Sequence, residues 1–208
     1  AASLMRERAE SLAQCMTLEM GKLSSQARYE VNLSADILSY YATHAEAFLK
    51  AKPVPETTNA VMVSEPIGVI LAIEPWNFPC YQLARVAGPQ LVAGNTLIVK
   101  HAPSVPRCAL AFSEIFKEAG TPEGAYTNIF CTIPQVNDLI DNFLVRGVTL
   151  TGSERAGAAV AERAGRNIKK VVLELGGSDP FIVLEDAVLE DAIERGCTGR
   201  MICMGQAC

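Results

Sequence analysis

From Ile67 onward, short apolar runs alternate with longer stretches of helical spacing, and that alternation restricts the folds open to the chain. Gly68-Val69-Ile70-Leu71-Ala72-Ile73 is an unbroken apolar run. Such a run reads as a strand covered on both faces, as in a parallel sheet. A helix is expected over 81–93, and Gly94-Asn95 then turns the chain into a strand at 96–99. Pro106 opens the next helix, which closes near Gly120, because a fixed φ and a missing N–H suit the first helical turn. A strand at 126–130, a short helix at 136–143 and a strand at 147–150 follow. Gly152-Ser153-Glu154 starts a helix that runs to about 165. Further strands are expected at 170–175 and 180–184, and a last helix at 189 to about 204. The pattern predicts an α/β fold built on a doubly wound, mostly parallel sheet.

Ahead of the sheet, residues 4 to about 50 are helical in pattern. Leu12, Met16 and Met20 recur at helical spacing, and Gly21 is placed to close the first helix. A second helix is expected over 25–49, with Met16, Tyr40, Tyr41 and Phe48 as core contacts. Lys52-Pro53-Val54-Pro55 reads as a linker and 61–63 as a short strand. The expected division is a helical segment, 1–55, packed on a sheet domain, 56–208.

A chain of 208 residues forms one large domain or two small ones and buries roughly 70% of its extended surface. The net charge is −5 and no basic cluster occurs, which argues against a nucleic-acid partner. No apolar run approaches the ~20 residues of a membrane span. The opening Ala1-Ala2-Ser3-Leu4-Met5-Arg6-Glu7 soon becomes a charged helix and does not read as a signal peptide. It lacks an initiator Met, so upstream sequence is expected. Seven cysteines without a Cys-x-x-Cys pair point to free thiols in a reducing, cytoplasmic compartment. His44 and His101 are far apart, and neither has a second ligand at metal spacing, so no metal is expected.

In doubly wound sheets, ligands bind outside the carboxyl ends of the strands. Pro75-Trp76-Asn77-Phe78-Pro79, Lys100, Thr151-Gly152-Ser153 and Glu174 all fall at such ends. Ser153 opens a helix, where free N–H groups suit a phosphate, although a plain helix cap reads the same way. Lys100 by itself also reads as a surface charge and Trp76 as core. No Gly-x-Gly-x-x-Gly fingerprint is present. Glu174 sits in the apolar run Val171-Val172-Leu173-Glu174-Leu175-Gly176-Gly177. A carboxylate held in an apolar strand tends to keep its proton to higher pH, which suits proton transfer near neutrality. Cys208, after Gly205-Gln206-Ala207, is a candidate nucleophile beside such a base. A solvent-facing Glu and a buried thiol remain the alternative, because spacing in sequence does not show contact in space.

Taken together, these segments resemble the aldehyde dehydrogenase family, in the family's order and along the whole chain. Lys100-His101-Ala102-Pro103-Ser104-Val105-Pro106, Ser153-Glu154-Arg155-Ala156-Gly157 and Ser178-Asp179-Pro180-Phe181-Ile182-Val183 are most similar to its succinate-semialdehyde dehydrogenase branch. The resemblance implies an NAD- or NADP-binding Rossmann-like domain over 56–208 and a homo-oligomeric parent enzyme acting on a small aldehyde. It implies Cys208 as nucleophile, Glu174 as base, and the Asn77 amide with the Cys208 N–H as oxyanion donors. It places Lys100, with Pro103 and Ser104, at the adenosine ribose or its 2′-phosphate, and Gly152 and Ser153 at the pyrophosphate. Pro75, Trp76, Leu175 and Gly176 line the cofactor channel. Arg85, eight residues past Asn77, is implied to hold a substrate carboxylate; a surface or ion-paired arginine is the alternative. Pro103 stands where NAD-preferring relatives commonly carry Glu, so NADP is expected to be accepted. Two departures stand out. Cys203 replaces the family's common Asn two residues before the Gly of the nucleophile motif, and the sequence stops at Cys208, ahead of the family's catalytic domain. The chain therefore reads as a cofactor-binding half.

Overall fold

The structure, a computed structural model, describes residues 1–207. Three helices lead: α1 (Ala2–Glu7), α2 (Ala9–Met20) and α3 (Ser24–Leu49). Gly21 ends α2 at φ 79°, a left-handed conformation that costs glycine little. Two short strands, β1 (Lys52–Pro53) and β2 (Val61–Met62), pair antiparallel, so the proline-rich linker carries a strand. The main sheet follows: β3 (Val69–Ile73), β4 (Thr96–Lys100), β5 (Tyr126–Ile129), β6 (Val145–Thr151) and β7 (Lys170–Glu174). Its order is β5-β4-β3-β6-β7, parallel throughout. The helices between are α4 (Pro79–Val92), α5 (Pro106–Glu118), α6 (Ile133–Asp141) and α7 (Glu154–Arg166). The last, α8 (Leu189–Met201), leads into a 3-10 turn, Ile202–Gly205.

The sheet is covered on both sides. On one face, Ile70, Ala72, Leu97 and Val99 pack with Leu83, Ala87, Phe112 and Ile115 of α4 and α5, and Met5, Met16 and Val31 of the leading helices join the same core. On the other, Leu71, Val148 and Leu150 pack with Val136, Ile140, Val160 and Ala164 of α6 and α7. The chain winds from β3 outward to β5, then returns to β6 on the other side of β3. The order reverses between β3 and β6, and a crevice opens at their carboxyl ends.

Three expectations need correction. Residues 180–184 are not a strand: Phe181, Ile182, Val183 and Leu184 are exposed, and no described strand lies beside them to complete a ladder. The last helix ends at Met201 because Cys203 and Met204 turn into left-handed conformations, at φ 53° and 52°. Tyr40 and Phe48 are exposed, stacked with His44 along the outer face of α3. Helical spacing explains the split. Positions 40, 44 and 48 share one face, whereas Tyr41 turns inward against Gly88 of α4.

Candidate active site

The loop after β3 and the turn after β6 meet in the switch-point crevice. A cavity of about 330 Å³ there is lined by Pro75, Trp76, Asn77, Gly152, Ser153, Leu175 and Gly176, with Thr151, Gln206 and Ala207 completing the wall. Seven of the residues singled out in the sequence therefore share one cavity. Ser153 is the N-cap of α7, its hydroxyl accepting from the Ala156 N–H at 3.3 Å. The first N–H groups of α7 face the crevice end of the helix, where an anion is favoured. A Cβ on Gly176 would meet the Glu154 carboxylate at 2.5 Å, so a larger residue there would have to displace the end of that side chain. These features fit a phosphate-bearing ligand.

Lys100 ends β4 one strand away, and its carbonyl accepts from the Glu74 N–H at 3.1 Å. Pro103 and Ser104 form an exposed turn just past it. They do not line the crevice cavity; they follow β4, which lies between β3 and β5.

A second, mostly apolar cavity of about 660 Å³ adjoins the first. Its lining includes Phe78, Tyr81, Arg85, Thr151, Glu174 and Cys203. Glu174 was expected in an apolar environment. Its side chain is instead 54% exposed, because β7 is the sheet's edge strand. Arg85 reaches it from α4, with N–O 3.5 Å, and donates to Thr151 Oγ1 at 2.8 Å. Here Arg85 is ion-paired. Cys208 lies outside the described residues, but the turn leading to it is visible: the Asn77 side-chain amide donates to the Gln206 carbonyl at 2.6 Å. Asn77 Oδ1 is buried without a partner.

Directly after β3, in neither cavity wall, Glu74 is a buried acid that sequence reasoning passed over. It is 2% exposed, and neither carboxylate oxygen has a hydrogen-bond partner. Burial pushes its pKa up to about 8, with the Arg85 charge opposing the shift. His101, weighed in the sequence only as a metal ligand and as part of the Lys100 segment, has a structural role. Its Nε2–H donates to the Pro79 carbonyl at 3.0 Å while Nδ1 accepts from the Ala102 N–H at 3.0 Å, and burial lowers its pKa, keeping the ring neutral. It clamps the β4 loop to the start of α4. The signal available in the sequence was position: both residues immediately follow apolar strands.

A family model described as "Aldehyde dehydrogenase family" matches residues 1–208. The chain belongs to the aldehyde dehydrogenase family. The succinate-semialdehyde dehydrogenase [NADP(+)] of Deinococcus radiodurans is 53% identical over 210 residues, spanning all of this chain and 44% of that protein. The succinate semialdehyde dehydrogenase [NAD(P)+] Sad of Escherichia coli is 48% identical, over 98% of this chain and 44% of its own length. Among solved structures, Gox0499 superposes with TM-score 0.98 at 52% identity, over all of this chain and 46% of its own. The succinic semialdehyde dehydrogenase of Streptococcus pyogenes, solved with NADP+, superposes with TM-score 0.97 at 45% identity, over all of this chain and 46% of its own. The chain thus spans somewhat less than half the length of these relatives.

Proposed function

We propose that this chain is the cofactor-binding part of an NAD(P)-dependent aldehyde dehydrogenase that oxidises succinate semialdehyde to the dicarboxylate. The observation that carries this is the convergence of Trp76, Asn77, Ser153, Leu175 and Gly176 on one switch-point crevice, with Glu174 and Arg85 in the adjoining cavity. When bound, the nicotinamide supplies the hydride acceptor. The α7 N-terminus with Gly152 and Ser153 holds the pyrophosphate, and Trp76, Leu175 and Gly176 wall the channel. Lys100, with Pro103 and Ser104, holds the adenosine ribose or its 2′-phosphate.

Glu174 takes the proton of the Cys208 thiol, directly or through water, and the thiolate adds to the aldehyde carbon. The Asn77 amide, swung off the Gln206 carbonyl, and the Cys208 N–H hold the oxygen as it becomes negative; one such donor is typically worth about 3–4 kcal/mol. Loss of hydride from that adduct leaves a thioester. Once Glu174 has passed that first proton to solvent, it removes a proton from water; the water oxygen attacks the thioester, the C–S bond breaks, the sulfur takes the proton back from Glu174, and the product leaves as the carboxylate. Arg85 leaves Glu174 to pair with the far carboxylate of the substrate, which frees the base. A nucleotide-binding piece without turnover is the second reading for the 208 residues alone, favoured by the short span against the relatives. The whole protein is assigned to the cytoplasm as a homo-oligomer, in keeping with its scattered cysteines and its family; no described helix is long and apolar enough to cross a membrane.

In the full-length protein, Cys208→Ser is expected to abolish aldehyde-dependent absorbance at 340 nm while NADP+ still binds. Retention of most activity would overturn the assignment. Arg85→Ala is expected to raise KM for a carboxylated aldehyde ten- to hundredfold, equivalent to about 1.5–3 kcal/mol. Uncharged aldehydes are spared if the guanidinium reads the carboxylate, and suffer equally if it does not.

A further inference from the structure

We propose that Lys22 is a positioning residue for the reaction: paired with Glu30, it fixes the Asn77 carbonyl and so aims the Asn77 amide at the reacting oxygen. This rests on the oxyanion role proposed for Asn77. Lys22 and Glu30 are buried at 1% and 2% exposure and form an ion pair beneath the cavity floor. Lys22 Nζ also donates to the Asn77 carbonyl at 2.8 Å and lies 3.9 Å from the centre of the Phe78 ring. Glu30 is equally committed. Its other oxygen accepts from the N–H groups of Cys80 and Tyr81, at 2.8 and 3.0 Å, capping a helix that has no cap of its own.

The same carbonyl takes a second donor, the Cys203 thiol, at 3.0 Å. The Cys203 N–H donates in turn to Gln26 Oε1 on α3 at 2.9 Å. Burial raises the Cys203 pKa, so the thiol keeps the proton it donates. Lys22, Gln26 and Glu30 thus tie three segments to one hairpin: the Asn77 loop, the start of α4 and the turn that leads to Cys208. An apolar pair of similar size would cost less to bury than two charges. What the charges add is direction. Charge-assisted donors are short and oriented, and they hold the peptide plane from which the Asn77 side chain projects. Its Oδ1 has no partner, and its Nδ2 is held only by the Gln206 carbonyl, which it leaves to reach the reacting oxygen, so the backbone beneath sets the aim.

The test uses the full-length protein. Lys22→Met alone strands a buried carboxylate and risks misfolding, so it is paired with Lys22→Met/Glu30→Gln. That variant removes both charges and keeps an acceptor for the α4 amides. It is expected to melt within a few degrees of the parent and bind NADP+ within threefold, with kcat reduced ten- to hundredfold. In an Asn77→Ala background the same pair of changes is expected to cost no further activity, a non-additivity that general loosening would not give. Full kcat in the double variant, or equal losses in both backgrounds, overturns the proposal while leaving the oxyanion role intact. An Asn77→Ala enzyme with undiminished turnover removes the oxyanion role itself, and this proposal with it.

Discussion

At the scale of the residue, Glu74 is the most consequential side chain outside the motifs. Its folded pKa, about 8, stands above the ordinary 4.5. The folded chain therefore keeps a proton that the unfolded chain releases, and stability falls as pH rises through that window. Glu74→Gln keeps the shape and removes the titration. It is expected to leave stability unchanged near pH 4 and to add a few kcal/mol at pH 8, with ~5 as the ceiling. Urea unfolding across that range checks it; a pH-independent gain would mean that packing, not ionisation, is responsible. Pro103 carries a second prediction. It lies on the exposed turn past Lys100, with no carboxylate of its own to repel a 2′-phosphate. Pro103→Glu is expected to weaken NADP+ at least tenfold, about 1.4 kcal/mol, while leaving NAD+ within a factor of a few. Cofactor titrations by fluorescence separate the two, and equal weakening of both would contradict it.

At the scale of the element, two sheet-flanking helices borrow their caps from the leading hairpin. α4 and α5 each begin with proline and lack a capping side chain of their own. Glu30 caps α4, and Glu19 caps α5 by accepting from the Arg107 and Cys108 N–H groups, both at 2.9 Å. The two are not equivalent. Glu19→Ala removes a half-buried cap and is expected to cost about 0.5–2 kcal/mol. Glu30→Ala also strands the Lys22 ammonium in the core, for an expected loss of about 3–5 kcal/mol. Chemical denaturation of both variants tests the order. A larger loss at Glu19 would show that the buried pair matters less than the cap.

At the scale of the whole molecule, the two ends of the sheet system differ. The leading helices merge with the α4–α5 core, whereas α8 buries no residue at all. Phe181, Ile182, Val183, Leu184, Val188, Leu189 and Ile193 form a run of exposed apolar side chains around it. A surface of that kind attracts dye and other chains. The 208-residue chain by itself is expected to bind an apolar dye and to self-associate, to retain some NADP+ affinity, and to show no aldehyde oxidation. Light scattering and a 340 nm assay check this; robust turnover would mean that this part holds its substrate without further walls, against the ~7–11 kcal/mol that good positioning supplies.

Local chemistry alone decided much of this protein. The unbroken apolar run at β3, the proline at the start of α5, Gly21 and Ser153 each specify a conformation through forces that act within a few residues, and the motif segments fell at strand ends because alternation placed them there. Strand order is another matter. Glu174 stands among apolar neighbours as a buried acid would, and Glu74 sits between Ile73 and a proline as a loop residue would. Their fates are reversed because β7 is an edge, open on one side, and β3 is the centre, closed on both. Period and composition are the same for edge and centre, so no pattern along the chain separates them. The Lys22–Glu30 pair and its hold on Asn77 depend on the fold for a like reason: charges 55 and 47 residues from Asn77 become its neighbours only once the leading helices have packed on α4.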